Sequence, residues 1–401
     1  MDRHALGLHW DLQPGLIFLN HGSFGLAPRE LLQWRGRLLR RIERDPVHFL
    51  TEQLQPQLDQ ARSALAVLVG ALPEQLAFVP STTYGLNELL QRLELPAGSE
   101  VLYSDHTYNA TLNLLRFAAE QRGWNLRQVE LPLPLQHPSE VVDAFAAAWT
   151  PATRLLVLDH VTSPSALVLP IAELIALARE RGARVIIDGA HGPGCCPLQL
   201  DALRPDAYVG NLHKWLCCPR GSAFLWVDAA WADRLRPLVV SHGANAPLAE
   251  GRSRFHLEHD WIGTADPTPW LALPEALRLL GSGPHLLQRL QAMQRMAMAI
   301  EPLLLEALGG AGCPAQPLAP ASARAAMVAV PLPALSVSDG AALQRRLLAR
   351  GFQVPVIAQQ PHQATARQFL RVSCFAYNQL SDGIALAEAL PAALADQAAR
   401  G

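Results

Sequence analysis

Lysine is almost absent. Of 33 Lys and Arg residues in this 401-residue chain, Lys214 is the sole lysine and the other 32 are arginine. Arginine can replace lysine wherever only a positive charge is needed. A guanidinium, with a pKa above about 12, cannot serve as an amine that gives up its proton. The retained lysine is therefore the first candidate for chemistry. Net charge is also small: 35 acidic residues leave a formal balance of −2. That excludes a basic surface for nucleic acid and a polybasic membrane patch. No uncharged apolar run reaches the ~18 residues of a membrane span. Met1-Asp2-Arg3-His4-Ala5 has no apolar run behind a basic start, so a cytoplasmic protein without a secretory signal is expected. The six cysteines, Cys195, Cys196, Cys217, Cys218, Cys313 and Cys374, include no Cys-x-x-Cys pair. No metal framework or disulfide scaffold is expected, only reduced, buried thiols.

Several common motifs are missing as well. The residue before Lys214 is His213, so no phosphate-binding Gly-Lys loop exists. Gly-x-Gly-x-x-Gly, His-Glu-x-x-His and Gly-x-Ser-x-Gly do not occur. ATPase, dinucleotide oxidoreductase, zincin and α/β-hydrolase readings lose their main support.

What is present is apolar: 50% hydrophobic against 17% charged residues. Such a chain can bury a large core. Its length suits two domains, or a large and a small one. Residues 15–30 read as an arm, with Asn20-His21-Gly22-Ser23-Phe24-Gly25 forming a special backbone turn. Pro28 can open a helix along which Leu31, Trp34, Leu38 and Ile42 recur. From residue 75, short apolar runs near 76–79, 101–103, 126–131, 155–159, 185–188, 208–210 and 223–227 read as strands. Helical text lies near 84–93, 110–122, 139–149 and 170–181. Alternation of this kind predicts a mostly parallel sheet covered on both faces. Ligands bind such sheets at the carboxyl ends of the strands. After residue 265, helices at 270–280 and 284–308 and a Pro/Ala/Gly-rich loop at 309–320 are expected. Strands at 327–330, 353–356 and 369–373, with helices at 338–350 and from 381, then predict a smaller α+β domain.

Three features converge on one chemistry. Asp188 ends a strand in Asp188-Gly189-Ala190-His191. Lys214 lies 26 residues on, in Gly210-Asn211-Leu212-His213-Lys214. Upstream, Ser81-Thr82-Thr83-Tyr84-Gly85 is a hydroxyl-rich strand-to-helix turn, whose exposed N–H groups and positive helix end suit a phosphate. A carboxylate, an amine and a phosphate cradle are what pyridoxal 5′-phosphate needs. The amine forms a Schiff base, and the carboxylate keeps the ring nitrogen protonated so that the ring accepts electrons.

The chain resembles the class V aminotransferase superfamily of fold type I enzymes, in its isopenicillin N epimerase-like branch. The resemblance rests on the segments above together with Asp105-His106-Thr107-Tyr108-Asn109-Ala110, Gly263-Thr264, and Leu370-Arg371-Val372-Ser373 with Tyr377-Asn378. It implies an α/β fold: a large domain with a mostly parallel, seven-stranded-type sheet plus a smaller C-terminal α+β domain. The boundaries expected are an arm at 1–30, the large domain at 31–265 and the small domain, with help from the arm, at 266–401. Lys214 would hold the cofactor and shuttle the α-proton. Asp188 would pair with the ring nitrogen, and His191 would lie near the phenolic oxygen. Thr82, Thr83, Asn211 and His213 would hold the phosphate, and Thr264 would reach the phosphate of a second subunit in a homodimer. Tyr108 or His106 would stack on the ring, with Tyr108 favoured. Arg371 would fork onto the substrate carboxylate, and Asn20, His21 and Ser23 would line the substrate end. The substrate implied is an amino acid or a similar small molecule. Epimerisation, transamination and carbon–sulfur bond cleavage all stay open, as does a catalytically idle relative serving as a binding or regulatory module.

Overall fold

The fold is described from a computed structural model, for residues 6–232, 234–248, 252–333, 335–361 and 366–398. Seven strands form the main sheet: β2 (Leu76–Val79), β3 (Glu100–Ser104), β4 (Asn125–Val129), β5 (Thr153–Asp159), β6 (Arg184–Asp188), β7 (Ala207–Asn211) and β8 (Ala223–Val227). Their order is β2-β8-β7-β6-β5-β3-β4. The pairs from β7 through β6, β5 and β3 to β4 are parallel, while β8 runs antiparallel to both β7 and β2. The central strands are apolar along nearly their whole length, as burial on both faces requires. Two core clusters form, one on each face: Leu156, Leu158 and Ile187 point into one, Leu155, Val157 and Ile186 into the other.

Strand direction decides where chemistry can gather. β5, β6 and β7 end together, at Asp159, Asp188 and Asn211. β2 is antiparallel to β8, which is antiparallel to β7, so β2 also ends at this edge and delivers Thr82. The turn after β3 delivers residues 105–108.

The C-terminal part builds a second antiparallel sheet from β9 (Met327–Pro331), β11 (Val356–Ala358) and β12 (Gln368–Ser373), in the order β11-β12-β9. Helices Pro284–Gly310, Val337–Ala349 and Leu380–Ala398 cover it, around Ile300, Leu304, Leu343, Leu370, Val372 and Leu386. The arm is tied to this part. β1 (Ile17–Phe18) pairs parallel with β10 (Phe352–Gln353), Asn20 bridges Ser373, and Leu19 is buried in the same core.

Three details differ from the sequence expectation. The strand predicted at 353–356 is two strands, β10 and β11, because Pro355 has no N–H to continue a ladder. The helix predicted at 270–280 is two, Thr268–Leu271 and Leu273–Leu280. Helical structure also fills Pro46–Val69, through a π turn at Phe49–Gln53. Pro46 and Pro56 obscure its apolar spacing. No helix among the described residues is long and apolar enough to cross a membrane.

Candidate active site

A cavity of about 620 Å³ opens at the carboxyl edge of the main sheet, where the two sheets meet. Its lining includes Ser23, Thr82, Thr83, Tyr108, Asp188, His191, Asn211, His213, Lys214 and Arg371. These ten residues span most of the chain, and the topology above brings them together.

Lys214 follows β7. Its Nζ lies 3.2 Å from His191 Nε2. Trp215 Nε1–H donates to His191 Nδ1 at 3.4 Å, which leaves the proton of the neutral ring on Nε2, facing the amine. Burial, and then the nearby Lys214 and Arg371 charges, hold the imidazole well below its usual pKa. Burial, and then Arg371, bring the Lys214 amine down to about 7, against the pull of Asp188 and Asp159. An amine with that pKa has a substantial neutral fraction at neutral pH and is a nucleophile there.

The Lys214 turn is supported from beneath. His21 stacks on Phe375 at 3.8 Å with rings nearly parallel, and its two nitrogens meet Tyr377 Oη at 2.8 Å and the Lys214 carbonyl at 3.0 Å. Burial lowers its pKa to about 3, so it is neutral. Gly25 lies so close that a Cβ there would strike the Lys214 and His213 carbonyls.

Asp188 is buried. Its carboxylate accepts from Thr111 Oγ1 at 2.8 Å and Ala190 N at 3.1 Å. Asp159, beside it in parallel register, is also buried and lines the same cavity. Burial raises both carboxyls, and the Asp188 charge raises Asp159 further. Two adjacent buried carboxylates at one edge call for a positive group to share.

The helix Thr82–Arg92 points its N-terminus at the cavity. Ser81 caps it by accepting from Tyr84 N, Thr82 N donates to Asn211 Oδ1 at 3.0 Å, and the buried Thr82 Oγ1 has no partner among the described residues. His213 Nδ1 is 2.7 Å from the Ser222 carbonyl, so it carries the proton and Nε2 is left for another group. A helix end, an orphaned hydroxyl and an imidazole fit a phosphate. The paired carboxylates fit a protonated pyridine nitrogen, and the neutral amine fits an aldehyde. The residues present therefore fit pyridoxal 5′-phosphate.

Arg371 comes from β12. Its Nη1 donates to the Ser163 carbonyl at 2.7 Å and to Ser163 Oγ at 3.2 Å, and its Nη2 donates to Ser23 Oγ at 2.7 Å. Nε is buried without a partner, and no carboxylate pairs with this guanidinium among the described residues. Burial lowers its pKa to about 10, still charged at neutral pH. A buried cation without a counter-ion is an anion site.

Some expected site residues lie elsewhere. His21 is a correction: it braces the Lys214 backbone instead of lining the substrate end, because the turn at Gly22 sends His21 and Ser23 to opposite sides. Asn20 is buried beside Ser373 and does not line the cavity. His106 is fully buried, bonded through Nδ1 to Ser165 Oγ at 2.7 Å, and is not in the lining, whereas half-exposed Tyr108 is. Thr264 is exposed and outside the cavity of its own chain. Asp159 was not singled out in the sequence. Its signal was available, since it ends β5 as Asp188 ends β6. No cysteine lines the cavity: Cys195, Cys196, Cys217, Cys218 and Cys374 are buried and Cys313 is partly so. Burial raises the Cys217, Cys218 and Cys374 thiols, which keeps them protonated.

Comparison with known proteins finds related sequences and related folds. The family model for class V aminotransferases matches residues 29–383. Isopenicillin N epimerase of Amycolatopsis lactamdurans is 36% identical over 395 residues, covering 94% of this chain and 95% of the relative. A putative L-cysteine desulfhydrase of Oryza sativa subsp. japonica is 33% identical over 284 residues, 66% of this chain and 57% of that protein. Among solved structures, a cystine C–S lyase in complex with cysteine persulfide has a TM-score of 0.80 at 21% identity, covering 94% of this chain and 98% of that one. The Escherichia coli cysteine desulfurase gives 0.78 at 22% identity, with 96% of each chain covered.

Proposed function

This chain belongs to the class V aminotransferase family and is a pyridoxal 5′-phosphate enzyme, and we propose that it epimerises an amino acid or an amino-acid-like substrate by moving the α-proton. The observation that carries the reading is a buried guanidinium without an anion, Arg371, in the same cavity as an amine of lowered pKa, Lys214.

The cofactor supplies an aldehyde for an amine and a ring that takes up the electron pair left at the α-carbon. Thr82, Thr83, Asn211 and His213 would hold its phosphate. Asp188, with Asp159 beside it, would keep its ring nitrogen protonated. His191 would lie near its phenolic oxygen, and Tyr108 against its ring. Arg371, oriented by Ser163 and Ser23, would bind the substrate carboxylate in a fork. That contact would hold the α-carbon toward Lys214, whose amine would take the proton.

Epimerisation also needs a proton delivered to the other face. Tyr108 is the second candidate, because its phenol lines the same cavity as Lys214 and Arg371. The test is a screen of L- and D-amino acids in deuterated water, scoring deuterium at the α-carbon and product chirality. Inverted, deuterated product is expected. Tyr108→Phe should slow inversion by about a hundredfold and α-deuteration much less. An oxo acid formed without inversion would replace the reading with transamination. A second reading, β-elimination from a sulfur amino acid, is supported by the similarity to a putative L-cysteine desulfhydrase, and such a lyase needs no enzyme thiolate. Its signature is sulfide from L-cysteine with no persulfide on the protein.

A homodimer is part of the same proposal. Phe24 and Tyr108 are 65% and 46% exposed at the cavity, and in the resembling family the position of Thr264 completes the phosphate site of the other subunit. Light scattering should give twice the chain mass. A fully active, cofactor-replete monomer at assay concentration would contradict it.

A further inference from the structure

The cavity does not end at Arg371. It continues past β11 to the helix Val337–Ala349, of which Val337, Ala341 and Arg345 line it. Positions i, i+4 and i+8 form one stripe of a helix, here apolar, then small, then cationic. β11 is the edge strand of its sheet, so no further strand separates this stripe from the cavity. Gln344 fixes the helix there, its Oε1 accepting from Val356 N at 2.9 Å.

The three arginines of this region differ. Arg346 Nε donates to the Ala393 carbonyl at 2.7 Å, and Arg350 Nη1 donates to the Arg346 carbonyl at 3.2 Å. Arg345 has no hydrogen bond or ion pair among the described residues. The acidic residues of the lining, Asp159 and Asp188, both sit at the main-sheet edge near Lys214. The far end of the cavity therefore holds an exposed positive charge on a fixed helix, with no compensating anion among the described residues. A volume near 620 Å³ is also in the range that encloses a drug-sized ligand.

We propose that Arg345 binds a second anionic group of the substrate, so that the enzyme prefers an amino acid whose side chain ends in a carboxylate or similar anion. This rests on the amino-acid reading above, with Arg371 taking the α-carboxylate. Aliphatic side-chain carbons would lie along Val337, Ala341 and Ile357. The position lies near solvent, so the charge gives a moderate, salt-sensitive preference rather than an absolute one.

The experiment titrates holoenzyme, following the cofactor absorbance, with L-aspartate, L-glutamate and their longer homologues. Each diacid is paired with the uncharged aliphatic amino acid of matching length. At least one diacid should bind about fivefold or more tighter than its neutral partner. In Arg345→Gln that preference should vanish while the neutral amino acid binds as in the wild type, and Arg345→Lys should retain part of it. Equal binding within every pair, or a preference that survives Arg345→Gln, overturns the proposal. Failure of every amino acid, charged or neutral, to perturb the cofactor overturns the amino-acid reading beneath it as well.

Discussion

Replacing Lys214 by arginine is expected to be as damaging as replacing it by alanine, with turnover falling at least about a thousandfold in both. The two substitutions separate charge from chemistry. Arginine keeps the cation but supplies no amine that can be neutral in water. It also brings a second guanidinium toward Arg371, and Arg371 is already one of the two main causes of the lowered Lys214 pKa. The wild-type amine, brought down to about 7, has its lone pair available at neutral pH beside His191 Nε2. The phosphate contacts proposed for Thr82, Thr83, Asn211 and His213 do not involve the lysine side chain, so both variants should still take up some cofactor. Steady-state rates with equal cofactor loading decide the matter. An arginine variant within about tenfold of the wild-type rate would contradict the assignment.

Asp188→Asn should lower the catalytic rate by about a hundred- to a thousandfold, with a much smaller change in cofactor affinity. Thr111 Oγ1 and Ala190 N bond different oxygens of the carboxylate, so the amide oxygen can keep the bond from Ala190 N while the amide nitrogen donates to Thr111 Oγ1, and the local fold persists. What is lost is the charge that favours a protonated ring nitrogen. Asp159, in register one strand away, retains its carboxylate and limits the loss. Asp159→Asn together with Asp188→Asn should therefore cost more than the sum of the two single effects. A single Asp188→Asn variant with an unchanged rate would mean that Asp159, or another residue, carries the ring nitrogen.

Lys214 was legible in the sequence because it is the sole lysine among 33 basic residues, and Asp188 because it closes an apolar strand before Gly189. The parallel sheet was legible because its strands are apolar throughout. Other features depend on three-dimensional contacts that no local pattern reports. Asp159 is an ordinary strand-end carboxylate until the register of β5 and β6 sets it beside Asp188. His21 shares its motif with Ser23, but the turn between them places one ring under the Lys214 backbone and one hydroxyl on Arg371. Arg345 is one of 32 arginines, and it stands out only because the packing of its helix on β11 turns it to the cavity. Pro355 shows the same limit at the level of secondary structure: an apolar run read as one strand is divided between two sheets.

The most direct test of the central claim follows from the chain's single lysine. Holoenzyme is treated with borohydride, which makes the bond between amine and cofactor permanent, then digested and weighed by mass spectrometry. One cofactor per chain, on the peptide containing Lys214 and nowhere else, is the result predicted. Full cofactor loading with no fixed label, or a label fixed at the N-terminal amine instead, would contradict it.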